Sequence, residues 1–180
     1  PGATDTLKYG YRPEIYHDMT VRVAFEESAG WVFVELGKKI GKEKYRQYLA
    51  AYHYGNGALA QADADFWNFG AFGISPLNQV QFLRALYEGR LPASQRNMDI
   101  VKKVMQAEQG AGYTISAKTG WTRDSGINTG WWVGYVESSK GVHFFATRLR
   151  QDRRYKQDNF GACRKEITKA ILRELQVLPE

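Results

Sequence analysis

The hydrophobic period of this chain changes near Gly110 from that of helices to that of strands, and that change constrains the fold more than any other feature. Before it, apolar residues recur every three or four positions, the spacing of amphipathic helices. After a capping Asp18 or Thr20, Val21, Ala24, Phe25 and Ser28 share one face, and the pattern continues through Val32, Phe33, Leu36 and Ile40 as a helix or helix pair. A second helix follows Gly41, with Tyr45, Tyr48, Leu49 and Tyr52 inward, and stops at Gly55-Asn56-Gly57. Residues 57–74 read as a structured loop. Ser75-Pro76, a cap followed by a proline at the first helical position, opens another helix that Gly89 ends. Its expected buried stripe is Leu77, Val80, Leu83 and Tyr87, and Ser94 caps a further helix with Met98, Val101, Val104 and Met105 inside. Beyond Gly110, Tyr113, Ile115 and Ala117 alternate with Thr114, Ser116 and Lys118, the period of a strand. Thr129–Glu137 and Val142–Arg150 form a hairpin about Ser138-Ser139-Lys140-Gly141. A last helix starts near Asn159 and spaces Ile167, Ile171, Leu175 and Leu178 helically.

These elements predict an α+β fold: a helical lobe plus an antiparallel sheet covered by a C-terminal helix. They make one incomplete domain over residues 1–180, divided into an irregular lead-in (1–18), a mainly helical lobe (19–108) and strands with the last helix (109–180). Three strands are few for a chain that is 14% aromatic, so further strands are expected from elsewhere. An N-terminal segment outside this sequence, or other copies of the chain, would supply them. The single Cys163 excludes an intrachain disulfide, and His17, His53 and His143 lack zinc-type spacing, so no metal is expected. Net charge is +6, with Arg148, Arg150, Arg153, Arg154 and Lys156 crowded together. No nucleic-acid module accompanies that run, so nucleic acid is not expected as a partner; an anionic small molecule suits the charge as well.

Three short polar motifs stand where this plan would gather them: Ser28-Ala29-Gly30 at a helix junction, Tyr54-Gly55-Asn56 where a helix ends, and Lys118-Thr119-Gly120 at a strand end, followed by Trp121. A lysine ammonium beside a serine hydroxyl can lower its pKa and relay a proton without histidine. A glycine after the strand residue lets a ligand approach the backbone. Singly, each motif reads as a helix-facing hydroxyl, a helix C-cap or a strand end. Their order is more telling. It resembles the penicillin-recognising serine enzymes, whose first motif is a nucleophilic Ser-x-x-Lys, and Tyr-Gly-Asn in the middle is most similar to class D β-lactamases. His17-Asp18-Met19-Thr20-Val21, Asp65-Phe66-Trp67, Ile74-Ser75-Pro76, Gly130-Trp131-Trp132-Val133-Gly134 and Arg164-Lys165 extend the resemblance over residues 9–178.

The resemblance implies β-lactam ligands, ring opening through a serine acyl-enzyme, and a periplasmic or other extracytoplasmic location. It implies that Ser28 shuttles a proton to the lactam nitrogen and that Lys118 keeps the site positive. Thr119, Gly120 and Arg164 would bind the substrate carboxylate, with Tyr54 and Asn56 also at the substrate. The Trp121 N–H would complete an oxyanion hole, and Trp67 would donate its indole N–H to a lysine that carries CO2 as a carbamate. No other cofactor is implied. This sequence departs from the pattern twice. No Ser or Thr is followed three residues later by Lys, so the nucleophile and the carbamylated lysine are both absent and the chain alone is expected to be inactive. Gly30 replaces the valine that usually shields the carbamate. Two functions therefore stay open: a class D-type hydrolase, or a β-lactam sensor that does not turn its ligand over.

Overall fold

The computed structural model describes residues 12–59, 65–155 and 157–179. The lead-in at 1–11, part of the 57–74 loop and Lys156 lie outside them. Thr20 accepts a hydrogen bond from the Val23 N–H and starts α1, Val21–Glu26. The continuous-helix alternative ends at Ser28, whose φ of 56° leaves the helical region before α2, Gly30–Ile40, begins. Ala24 and Ala29 are fully buried where α1 and α2 meet, and the Trp31 indole N–H donates to the Ile15 carbonyl at 2.7 Å. Next comes α3, Lys42–Ala51, which has no fully buried residue; Tyr48, expected inward, is half exposed.

Ser75 and Ser94 cap as their positions predict, each accepting a backbone N–H, and they open α4 (Pro76–Tyr87) and α5 (Gln95–Met105). The buried stripe of α4 is Gln79, Leu83 and Leu86; Leu77 points to solvent. In α5, Met98 and Met105 are buried, whereas Val101 is not. The helix period was right, but which flank meets the sheet depends on where the sheet lies, and local spacing does not carry that.

The sheet has four antiparallel strands in chain order: β1 (Gln106–Gly110), β2 (Tyr113–Asp124), β3 (Ile127–Ser138) and β4 (Gly141–Asp152). The sequence predicted three. β1 follows α5 directly, and its polar Gln-Ala-Glu-Gln-Gly run has no apolar alternation; a turn at Gly112 folds it back onto β2. It thus belongs to the sheet, not to the end of the helical lobe. One face of the sheet packs Ile115, Trp132, Val136 and Phe145 against Leu172 of the last helix, α6 (Phe160–Glu174). The other face packs Tyr135 against Leu83, Leu86, Met98 and Met105 of the helical lobe. The hydrophobic runs in β3 and β4 follow from this two-sided cover. Ile167, Ile171 and Leu175 do not face the core. Phe160, Thr168 and Leu172 do, and Leu178 returns to the core through a turn after α6 has ended.

Candidate active site

The site forms where the α1–α2 break meets the middle of β2. Ser28 holds a left-handed φ, which is strained for a residue with a Cβ. There its Oγ accepts a hydrogen bond from Nζ of Lys118, ninety positions away in sequence. The ammonium also lies 3.3 Å from the Thr119 carbonyl and 3.4 Å from the Thr119 hydroxyl, with the Phe25 ring centroid 5.5 Å off. Burial pushes the Lys118 pKa down to about 8, and repulsion from Arg164, Lys165 and Arg12 acts in the same direction.

β1 pairs with β2 only as far as Ser116, so among the described residues the β2 edge from Ala117 to Asp124 is open. Gly120 and Trp121 lie on this stretch. Arg164, from the first turns of α6, donates Nη1 to the Gly120 carbonyl at 2.5 Å and lies 5.6 Å over the Trp121 ring, with Arg123 5.2 Å over the same ring. Burial lowers the Arg164 pKa, and its buried Nε has no hydrogen-bond partner. The helix can come this close because residue 161 is glycine: a Cβ there would sit 2.9 Å from the Trp121 indole. At Gly120, by contrast, a Cβ would meet only Trp131, at an ordinary 3.6 Å. Packing alone does not demand that glycine.

Lys118, Thr119, Gly120 and Trp121 wall one side of a cavity of about 660 Å³, and Tyr54, Phe66 and Trp67 face them from the helical lobe. Trp67 is half-buried, its ring tilted 6.4 Å from that of Tyr45. Tyr54 donates its hydroxyl to Gln79 at 2.7 Å. Asn56 lies outside the lining, its side chain clasping the neighbouring loop at the Ala71 carbonyl and the Gly73 N–H. Ser28, Lys118, Thr119, Gly120, Trp121 and Arg164 therefore converge, while Tyr54 and Trp67 stand across the cavity. Sequence reasoning missed Phe25, packed on the ammonium, and Arg148 and Arg150, which extend the cavity wall along β4. Strand alternation puts those two arginines on one face but does not say that the face is hollow.

The model of the penicillin-binding protein transpeptidase domain matches residues 3–173 of this chain. The chain belongs to that family. It is 38% identical to the OXA-15 β-lactamase of Pseudomonas aeruginosa, over 90% of this chain and 56% of that protein. It is 33% identical to the regulatory protein BlaR1 of Bacillus licheniformis, over 97% of this chain and 28% of that one. The class D β-lactamase of Sebaldella termitidis superposes with a TM-score of 0.88 at 35% identity, covering 93% of this chain and 68% of that structure. The class D enzyme YbXI of Nostoc gives 0.86 at 34%, covering 93% and 70%. This penicillin-binding-family chain spans about half the length of the β-lactamase it matches at 38% identity.

Proposed function

We propose that the cavity is the carboxylate-recognising and proton-relaying part of a class D-type β-lactam site. The observation that carries this reading is the Ser28–Lys118 hydrogen bond, made across ninety residues and set beside Thr119 and Arg164. The Lys118 ammonium and Arg164 guanidinium attract the ligand carboxylate, and the Thr119 hydroxyl gives it a neutral donor. Ser28, hydrogen-bonded to an amine whose pKa is near 8, can pass a proton towards the departing lactam nitrogen. The Trp121 N–H, on the open stretch of β2, is the oxyanion donor of this reading. The acyl acceptor is the serine of a Ser-x-x-Lys motif, which these 180 residues do not contain. A lysine carbamate does not fit the described residues: among them the lysine lining the cavity is Lys118, already bonded to Ser28, and no step runs through CO2. An extracytoplasmic location goes with this reading.

Titrating the chain with a penicillin while following tryptophan fluorescence tests the assignment, since Trp67, Trp121 and Trp131 line the cavity. Saturable quenching is expected, with Arg164→Ala weakening it by about tenfold, the cost of one charged hydrogen-bond partner. Unchanged affinity in that variant would remove Arg164 from carboxylate binding. A second reading, ligand sensing without turnover, draws on Gly30 and on the match to a regulatory protein over 97% of this chain. Persistence of an acyl adduct for hours, in a protein that also contains the nucleophile, would favour it over hydrolysis.

A further inference from the structure

We infer that Asn78, in the first turn of α4, is a positioning residue for the candidate site: it holds the Tyr54-Gly55-Asn56 turn and, through that turn, sets where Trp67 stands against the ligand. For the ligand this rests on the β-lactam reading. The turn that follows α3 is bent more sharply than its own sequence can hold. His53 and Gly55 have left-handed φ values of 50° and 72°, and a histidine stays there only where its surroundings fix it. The bend takes the His53 carbonyl and the Gly55 N–H out of any helix or strand ladder, and both groups need partners. Asn78 supplies them. Its Oδ1 accepts the Gly55 N–H at 2.8 Å, and its Nδ2 donates to the His53 carbonyl at 2.8 Å. One amide therefore grips the chain on both sides of Tyr54. Gln79 accepts the Tyr54 hydroxyl, and Phe82, one turn on from Asn78, meets the Tyr54 ring edge-on at 4.7 Å.

The hold passes from the turn to the cavity wall. The Asn56 N–H donates to the Gly73 carbonyl at 2.9 Å, and its side chain clasps the Ala71 carbonyl and the Gly73 N–H. Phe72, between those two residues, stacks on Tyr54 at 6.4 Å. Phe66 meets Phe72 edge-on at 5.1 Å, and Trp67 meets Phe66 in the same way at 5.1 Å. Tyr54, Phe72, Phe66 and Trp67 thus form an unbroken file of rings along the lobe side of the cavity. The file begins at α4, which is anchored to the sheet by Leu83 and Leu86 against Tyr135. Asn78 is the polar link between that anchored helix and the turn. It does not line the cavity, so its effect on a ligand runs through the wall that it places.

The test follows the five indole N–H signals of the 180-residue chain by ¹H–¹⁵N NMR without ligand, Trp67 being the signal that Trp67→Phe removes. Asn78→Ala should displace the Trp67 signal and leave those of Trp121 and Trp131, on the sheet side, in place. Asn78→Asp keeps an acceptor for Gly55 but sets a carboxylate oxygen against the His53 carbonyl, and it should displace Trp67 as well. Leu77→Ala, at the exposed neighbouring position, should displace none. Penicillin affinity by calorimetric titration should fall about fivefold in Asn78→Ala, the size usual for a residue acting through a packed network. On a Trp67→Phe background that fall should vanish. An unmoved Trp67 signal in both Asn78 variants overturns the proposal, as does movement of all five signals together, which makes Asn78 a support of the whole fold. Affinity that is unchanged, or that falls equally without Trp67, also overturns it. A wild-type chain that binds no penicillin refutes the β-lactam reading instead, and the Trp67 signals then decide the link on their own.

Discussion

Lys118 is held against Ser28, in reach of Thr119 and with Phe25 close by, and its positive neighbours are Arg164, Lys165 and Arg12. Removing an ammonium from water and surrounding it with cations both favour the neutral amine, hence a pKa near 8 in place of the ordinary value of about 10.4. Between those two pH values the unfolded chain binds more protons than the native one. The free energy of unfolding should therefore rise with pH across that window, and the burial cost should be fully present below it. Titration of ¹³C-labelled lysine Cε resonances should find one midpoint near 8, absent in Lys118→Met. Thermal melts of that variant should lose the rise. A Lys118 midpoint at the ordinary lysine value would refute the burial assigned here. Penicillin binding should weaken as pH passes about 8, since the carboxylate then loses one of its cationic partners.

At the scale of elements, the loops that frame the cavity are held by particular backbone conformations. Gly55 has φ 72°, and a Cβ there would lie 2.6 Å from the Phe72 ring and 2.9 Å from the Gly73 carbonyl. Gly55→Ala should destabilise the chain by about 1–3 kcal/mol, a strained position made worse by contact. Denaturant unfolding measures this, and a loss within about 0.5 kcal/mol would mean that the 71–73 loop yields freely. In sequence this glycine was visible as a helix stop and as the centre of the Tyr54-Gly55-Asn56 motif, but not as a close neighbour of the Phe72–Gly73 loop. The same distinction runs through the fold. Caps at Thr20, Ser75 and Ser94 and the alternation in β2–β4 are local, and they were legible. β1 was not, since its pairing comes from β2 and not from its own polar residues. The α6 stripe misled for a related reason: Ile167, Ile171 and Leu175 have a core-like spacing yet face outward, while Thr168, a polar residue, is buried against Thr147. Of the candidate site, the meeting of Ser28 with Lys118 was legible through motif order and the place of Arg164 through the wider resemblance, whereas the cavity's basic extension at Arg148 and Arg150 was not.

Taken whole, the molecule is a sheet with α6 on one face and a helical lobe on the other, and the candidate site opens where lobe and sheet meet. That arrangement gathers Ser28, Lys118 and Arg164, the proposed carboxylate clamp and proton relay, while the sequence contains no serine followed three residues later by lysine. On the proposed reading, recognition and acyl transfer are separable: the groups of this cavity would bind and polarise a β-lactam, and covalent chemistry needs the nucleophile as well. Intact-mass spectrometry of the 180-residue chain after prolonged incubation with a penicillin addresses this separation directly. The mass should be unchanged, with no adduct on Ser28 or on any other residue. A stoichiometric adduct of one penicillin, mapped to a serine by peptide fragmentation, would contradict the account.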